Sequence, residues 1–168
     1  MLEMYLRNYK ETDANEIVHW IKDEKALRLW SADRYGDFPV TAKDMNDNYN
    51  ECKKLSKFYP MTLIENEEII GHLILRNPDI DKPEIIRLGF IIVKPDKRGK
   101  GYGKTLIKEA IKYAKDVLKA TEINLGVFEN NQDAYYCYKS VGFKEKYIEK
   151  VALTFKEESW NCIEMILS

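Results

Sequence analysis

The stretch that most constrains this chain is Phe90-Ile91-Ile92-Val93-Lys94-Pro95-Asp96-Lys97-Arg98-Gly99-Lys100-Gly101-Tyr102-Gly103-Lys104. It reads as an apolar strand, a proline stop, a loop of glycines and cations, and the start of a helix. Three glycines in five residues remove the β-carbons that would block a close approach, and they admit positive φ, so consecutive N–H groups can converge on one anion. Those groups have no intrahelical partner and lie at the positive end of the helix dipole, where a phosphate is stabilised. Lys97, Arg98, Lys100 and Lys104 add screened positive charge around the same point. The helix itself is clearly marked. Leu106, Ile107, Ala110, Ile111, Ala114, Val117 and Leu118 recur at three and four, while Lys104, Lys108, Glu109, Lys112, Lys115 and Lys119 face away.

The loop is a phosphate cradle of a restricted kind. A nucleotide-triphosphate loop has the form Gly-x-x-x-x-Gly-Lys-Ser/Thr, and although Gly103-Lys104-Thr105 would fit its ending, its first glycine is missing, because Arg98 stands there. A dinucleotide fingerprint would need a glycine where Leu106 stands. The spacing Arg98-x-x-Gly101-x-Gly103 instead resembles the Arg/Gln-x-x-Gly-x-Gly/Ala motif of the GNAT family of N-acetyltransferases. A second block, Asn131-Gln132-Asp133-Ala134-Tyr135-Tyr136-Cys137-Tyr138-Lys139-Ser140-Val141-Gly142-Phe143, is similar to that family's Asn-x-x-Ala-x-x-x-Tyr-x-x-x-Gly-Phe segment at the usual separation. Together the blocks and their strands cover about the C-terminal half of the chain.

Composition narrows the alternatives. A chain of 168 residues suits one domain, 1–168, burying roughly 70% of the surface its unfolded form exposes. Lys plus Arg number 27 against 28 for Asp plus Glu, so no broad basic face is available for nucleic acid. Cys52, Cys137 and Cys162 are widely spaced, lack a CxxC pattern and cannot all pair, which favours free thiols in a reducing, cytoplasmic setting. Met1 to Arg7 holds no uninterrupted apolar core, and no later run approaches a membrane span, so no membrane partner is expected. Neither His19 nor His72 completes a metal cluster or a nucleophilic triad.

Along the chain, Met4 to Arg7 reads as a strand, and Asp13-x-x-Glu16 as a capping box opening one helix that frays near Lys25. Leu27 to Pro39 reads as an aromatic-rich surface loop, and Thr41-x-x-Asp44 caps a second helix in a segment ended by Pro60. Met61 to Ile64 and Ile69 to Leu75 form a hairpin, too apolar on both faces to lie anywhere but centrally. Glu84 to Lys94 and Ile123 to Phe128 are further strands, Asn131 to Val141 a short helix stopped by Gly142, and Lys146 to Phe155 with Trp160 to Leu167 a closing hairpin.

The resemblance implies an α/β (α+β) GNAT fold: a central, mixed, mostly antiparallel twisted sheet of six or seven strands, flanked by about four helices and splayed between the fourth and fifth strands. It implies acetyl-CoA as co-substrate, without a metal, and direct transfer in a ternary complex to a primary amine of a small molecule, peptide or protein N-terminus. Ile91, Ile92, Val93, Arg98, Gly99, Lys100, Gly101, Tyr102, Gly103, Lys104 and Asn131 would then contact the cofactor. Tyr138 would return a proton to the departing thiolate. Gly89 is the candidate site of a bulge that opens a slot for the pantetheine arm. Trp30, Asp33, Tyr35 and Phe38 are the acceptor-side candidates, though packing is the more common fate of such aromatics. The carry-over fails at Arg87, where histone-type members have a glutamate base, so Glu84, Glu129 and His72 remain open as bases, directly or through water. That gap leaves a competing reading, a non-catalytic acyl-CoA sensor or docking module. A homodimer is compatible with either.

Overall fold

The computed structural model describes residues 3–167, and among these seven strands form one sheet in the order β1-β2-β3-β4-β5-β7-β6. The strands are β1 (Met4–Asn8), β2 (Phe58–Glu65), β3 (Glu68–Arg76), β4 (Ile85–Val93), β5 (Glu122–Phe128), β6 (Phe143–Phe155) and β7 (Glu158–Leu167). Every pairing is antiparallel except β4 with β5. Five α-helices accompany them: α1 (Ala14–Ile17), α2 (Glu24–Ser31), α3 (Ala42–Leu55), α4 (Tyr102–Asp116) and α5 (Gln132–Val141). The mixed sheet and its flanking helices match the expected fold, including its opening between the fourth and fifth strands.

The continuous apolar runs of β2 and β3 are explained by helices on both faces. Successive side chains of a strand point to opposite faces, and Leu73 and Leu75 pack with Leu106 and Ile107 of α4, whereas Ile74 packs with Tyr49 of α3 and Leu27 of α2. Leu106, Ile107, Ala110 and Ala114 bring α4 onto the sheet as their spacing requires. No helix among the described residues is long and apolar enough to cross a membrane.

The N-terminal helical region differs from its sequence reading. Asp13 caps no α-helix. Its carboxylate is buried, accepts from both terminal nitrogens of Arg7 at 2.8 and 2.9 Å, and also holds the Lys10 N–H and the Thr62 hydroxyl. The expected single helix is instead a short α1 between two 3-10 turns, broken at Ile21 (φ −99, ψ 105) and restarted by Asp23, whose side chain accepts from Ala26 N–H at 2.7 Å. The restart takes Leu27 to Ser31 out of the predicted loop and into α2. Helix α3 ends at Leu55, and Pro60 lies inside β2, just beyond the reach of β1, whose last partner there is Met61. Proline is tolerated there because no neighbouring strand needs its missing N–H.

Candidate active site

The loop before α4 has the conformation its glycines allow. Pro95–Lys97 forms a 3-10 turn, Gly99 and Gly101 have φ of +74° and +87°, and nothing lies within 4 Å of where a β-carbon on either would project. Gly101 is the N-cap of α4 and supplies no side chain to cap it, so the first N–H groups of the helix remain available to an anion. Arg98 is fixed against this loop by its Nε, which donates to the Val93 carbonyl at 3.0 Å, and burial lowers its pKa from the ordinary value. Lys94 and Lys97 are drawn away, both pairing with Glu68 on the β2–β3 hairpin.

Beside the loop, the sheet divides. β4 and β5 pair only from Ile85 to Arg87 against Glu122 to Asn124. Above that point β4 carries an extra residue: His72 and Ile74 of β3 face Ile92 and Gly89, so Leu73 alone opposes both Phe90 and Ile91. The bulge thus follows Gly89, and the positive φ (+48°) falls on Phe90. The bulge bends β4 and the strands part.

The resulting cleft, about 850 Å³, runs from Arg98, Gly99, Gly101, Gly103 and Lys104 past Ile91, Ile92 and Val93 to Tyr138 and beyond. Asn131 lines it at the start of α5 and makes no side-chain capping bond, so its amide is open to a ligand. Lys100 and Tyr102 are not on the cleft wall. Tyr138 is buried at 7% exposure, and burial raises its pKa, so the phenol stays protonated well into the alkaline range. Burial also raises Cys137, its neighbour, and Cys162 on the opposite wall is pushed up to about 12 by burial and by Glu164. Neither thiol is poised as a nucleophile.

Of the acceptor-side candidates, Trp30 lines the cleft, stacked with Tyr35 at 6.0 Å and tilted against Phe90 at 5.3 Å. Tyr35 packs behind it in the core, while Asp33 and Phe38 are exposed away from the cleft wall. Arg28 holds this loop in place by donating to the carbonyls of Ala32, Tyr35 and Gly36.

None of the three candidate bases reaches the cleft wall. Glu84 is exposed and precedes β4, at the end remote from the bulge. Glu129 sits past β5 and accepts from Asn161 at 3.3 Å. His72 is fully buried, 2.7 Å from the Tyr49 hydroxyl, and burial lowers its pKa to about 3.

Arg87, at the glutamate position, is instead clamped. Its guanidinium meets both oxygens of Glu164 on β7, at 2.7 and 3.0 Å, and donates to Asn124 Oδ1 at 3.0 Å. The pair crosses β5 over Gly126, where a β-carbon would sit 2.5 Å from Glu164 Oε2 and 2.7 Å from Arg87 Nη2. Sequence reasoning missed Gly126, along with Arg34, Arg76 and Phe90, which also line the cleft. The glycine in an otherwise apolar strand was a signal for such an approach. The arginines gave none. Among the described residues no group of three or more His, Cys, Asp or Glu side chains could hold a metal ion.

Residues 15–143 match the model of the acetyltransferase (GNAT) family. An uncharacterized N-acetyltransferase of Methanocaldococcus jannaschii is 41% identical over 73 residues, 43% of this chain and 31% of that protein. The spermidine N(1)-acetyltransferase of Vibrio cholerae is 38% identical over 56 residues, 33% of this chain and 32% of that protein. The chain thus spans about a third of the length of each of these relatives. The crystal structure of spermidine N-acetyltransferase from Vibrio cholerae in complex with CoA and spermine superposes with a TM-score of 0.80, at 19% identity, over 98% of this chain and 94% of that one.

Proposed function

Because the chain belongs to the acetyltransferase (GNAT) family, we propose that it moves an acetyl group from acetyl-CoA to a primary amine of a small molecule or of a peptide or protein N-terminus, within one ternary complex. Residues 1–168 act in this reading as a single domain. The observation that carries it is the continuous cleft joining the glycine loop, the parted strands and Tyr138.

The N–H groups after Gly101, with Arg98 and Lys104 alongside, hold the diphosphate of the co-substrate. That remote contact fixes the position of the reactive end. Backbone groups of Ile91 and Val93, on the part of β4 that β5 has left, receive the pantetheine arm and orient the acetyl carbonyl. Asn131 contributes its free amide to the same arm. When bound, acetyl-CoA supplies the activated acyl group. The acceptor nitrogen bonds to the acetyl carbon as the carbon–sulfur bond breaks. Tyr138, protonated at working pH, gives its hydroxyl proton to the leaving sulfur and regains one from solvent. The amine loses its own proton to water, since no candidate base lies on the cleft wall.

Calorimetry with coenzyme A and a thiol-release assay across a panel of amines test this reading. Binding together with turnover of any amine supports it. Binding without turnover of any amine would leave the sensor reading standing, and absence of coenzyme A binding would overturn both.

A further inference from the structure

The acceptor end of the cleft is lined by cations and by no carboxylate. Arg76 closes β3, and Arg87 lies directly opposite it on β4, a placement in which like charges repel. Arg87 is neutralised by the bidentate contact with Glu164. Arg76 has no such relief. Among the described residues no acceptor takes a hydrogen bond from its guanidinium, although the residue is partly buried, and burial, then the charges of Arg87 and Arg34, lower its pKa from the ordinary value. Arg34 stands nearby with its guanidinium 5.6 Å from the centroid of the Phe90 ring and no carboxylate partner among the described residues, and Lys22 lines the same end. The cleft's one acidic lining residue among those described, Asp133, belongs to the first turn of α5, two residues from Asn131 at the cofactor end.

A partly buried cation without a partner costs free energy that an entering anion would offset, and the flat guanidinium fork matches a carboxylate. We infer that the acceptor amine carries an anionic group, a carboxylate or its phosphorus-acid analogue as in an α-amino acid, and that Arg76, with Arg34 beside it, binds that group and selects against polycationic amines. The inference rests on the acetyltransferase reading above and names the substrate class of that site. A polyamine would bring two or more positive charges against Arg34, Arg76 and Lys22 with no carboxylate on the wall to receive them.

The test compares amines that differ only in their carboxylate: each of a set of α-amino acids against its decarboxylated amine, with spermidine as a third class, at saturating acetyl-CoA. The expected result is a preference in kcat/KM for the amino acid of roughly 10- to 100-fold, the range of a charge-assisted contact. Arg76→Gln should collapse that ratio toward one while the KM for acetyl-CoA holds, and Arg76→Lys should restore part of it. A purely structural Arg76 would lower both rates and leave their ratio intact, which would overturn the assignment. So would equal or faster turnover of spermidine or of the decarboxylated amines by the native protein, a comparison that needs no variant. Failure to bind coenzyme A, or to release thiol with every amine, would instead bring down the acetyltransferase reading, and this inference with it.

Discussion

The two ends of the cleft are made of different material. The cofactor end is main chain: helix N–H groups after Gly101, strand groups freed where β4 leaves β5, and glycines that keep the approach clear. The acceptor end is side chain: Trp30, Arg34, Arg76, Arg87 and Phe90, brought together from α2, the loop after it and two strands. Main-chain donors are common to every sequence, so such a site is specified by where glycine stands and tolerates change around it. A wall of side chains is specified by each residue in it and can be changed one residue at a time.

Four experiments would break or sharpen that contrast. The largest effect should come from Gly101→Asp, which puts a carboxylate and a strained positive φ where the diphosphate is expected; coenzyme A affinity measured by calorimetry should fall about 1000-fold. If affinity survives, the main-chain cradle is not the anchor.

Acid titration probes the packing beneath the acceptor wall. His72 is buried and neutral, with its pKa lowered to about 3, so the unfolded chain takes up a proton first as the pH falls. Its contribution is complete above the unfolded value near 6.5 and is lost on the way down, at about 1.4 kcal/mol per pH unit. Urea denaturation at pH 7.5 and pH 4.5 should show a loss of about 3 kcal/mol attributable to this group, and His72→Gln should flatten that limb. An unchanged slope would place the imidazole in contact with solvent.

Next in size is Tyr138→Phe, which should reduce kcat by roughly 100-fold with little change in KM for acetyl-CoA, as expected for a proton donor. A parental rate would return the phenol to a packing role against Phe143, whose ring lies 6.4 Å away. Smallest is Gly126→Ala, which forces Arg87 and Glu164 aside and should cost about 1–2 kcal/mol in thermal or urea unfolding. No loss would mean that the clamp relaxes freely over β5.

The same contrast decided what could be read in advance. Helix α4 announced itself through Leu106, Ile107, Ala110 and Ala114, and the cradle through glycines whose conformations leave few alternatives. The bulge was anticipated beside Gly89, but the unusual φ fell to Phe90, a residue type with no preference for it, because the aromatic ring packs with Trp30, Tyr35 and Tyr49. The break at Ile21 to Asp23 was legible in Asp23 as a cap, yet the apolar periodicity of Ala14, Ile17 and Ile21 masked it. Arg34 and Arg76 were not legible at all. Arginine at a strand end or in a loop is ordinarily solvated, as Arg34 still is on its outer side, and only the approach of α2 to β4 brings it and the partly buried Arg76 onto one cleft.

The fork between β4 and β5 gives this sheet an interior edge. Most sheets expose unpaired strand only at their margins, where it invites other strands; here it lies mid-sheet, inside a slot flanked by α2 and α5. In the proposed complex, a thin, flexible ligand that carries its own amides would lie in that gap as a surrogate strand. The open hydrogen-bonding ladder at this fork is therefore enclosed, unlike the ladders at the outer margins on β1 and β6.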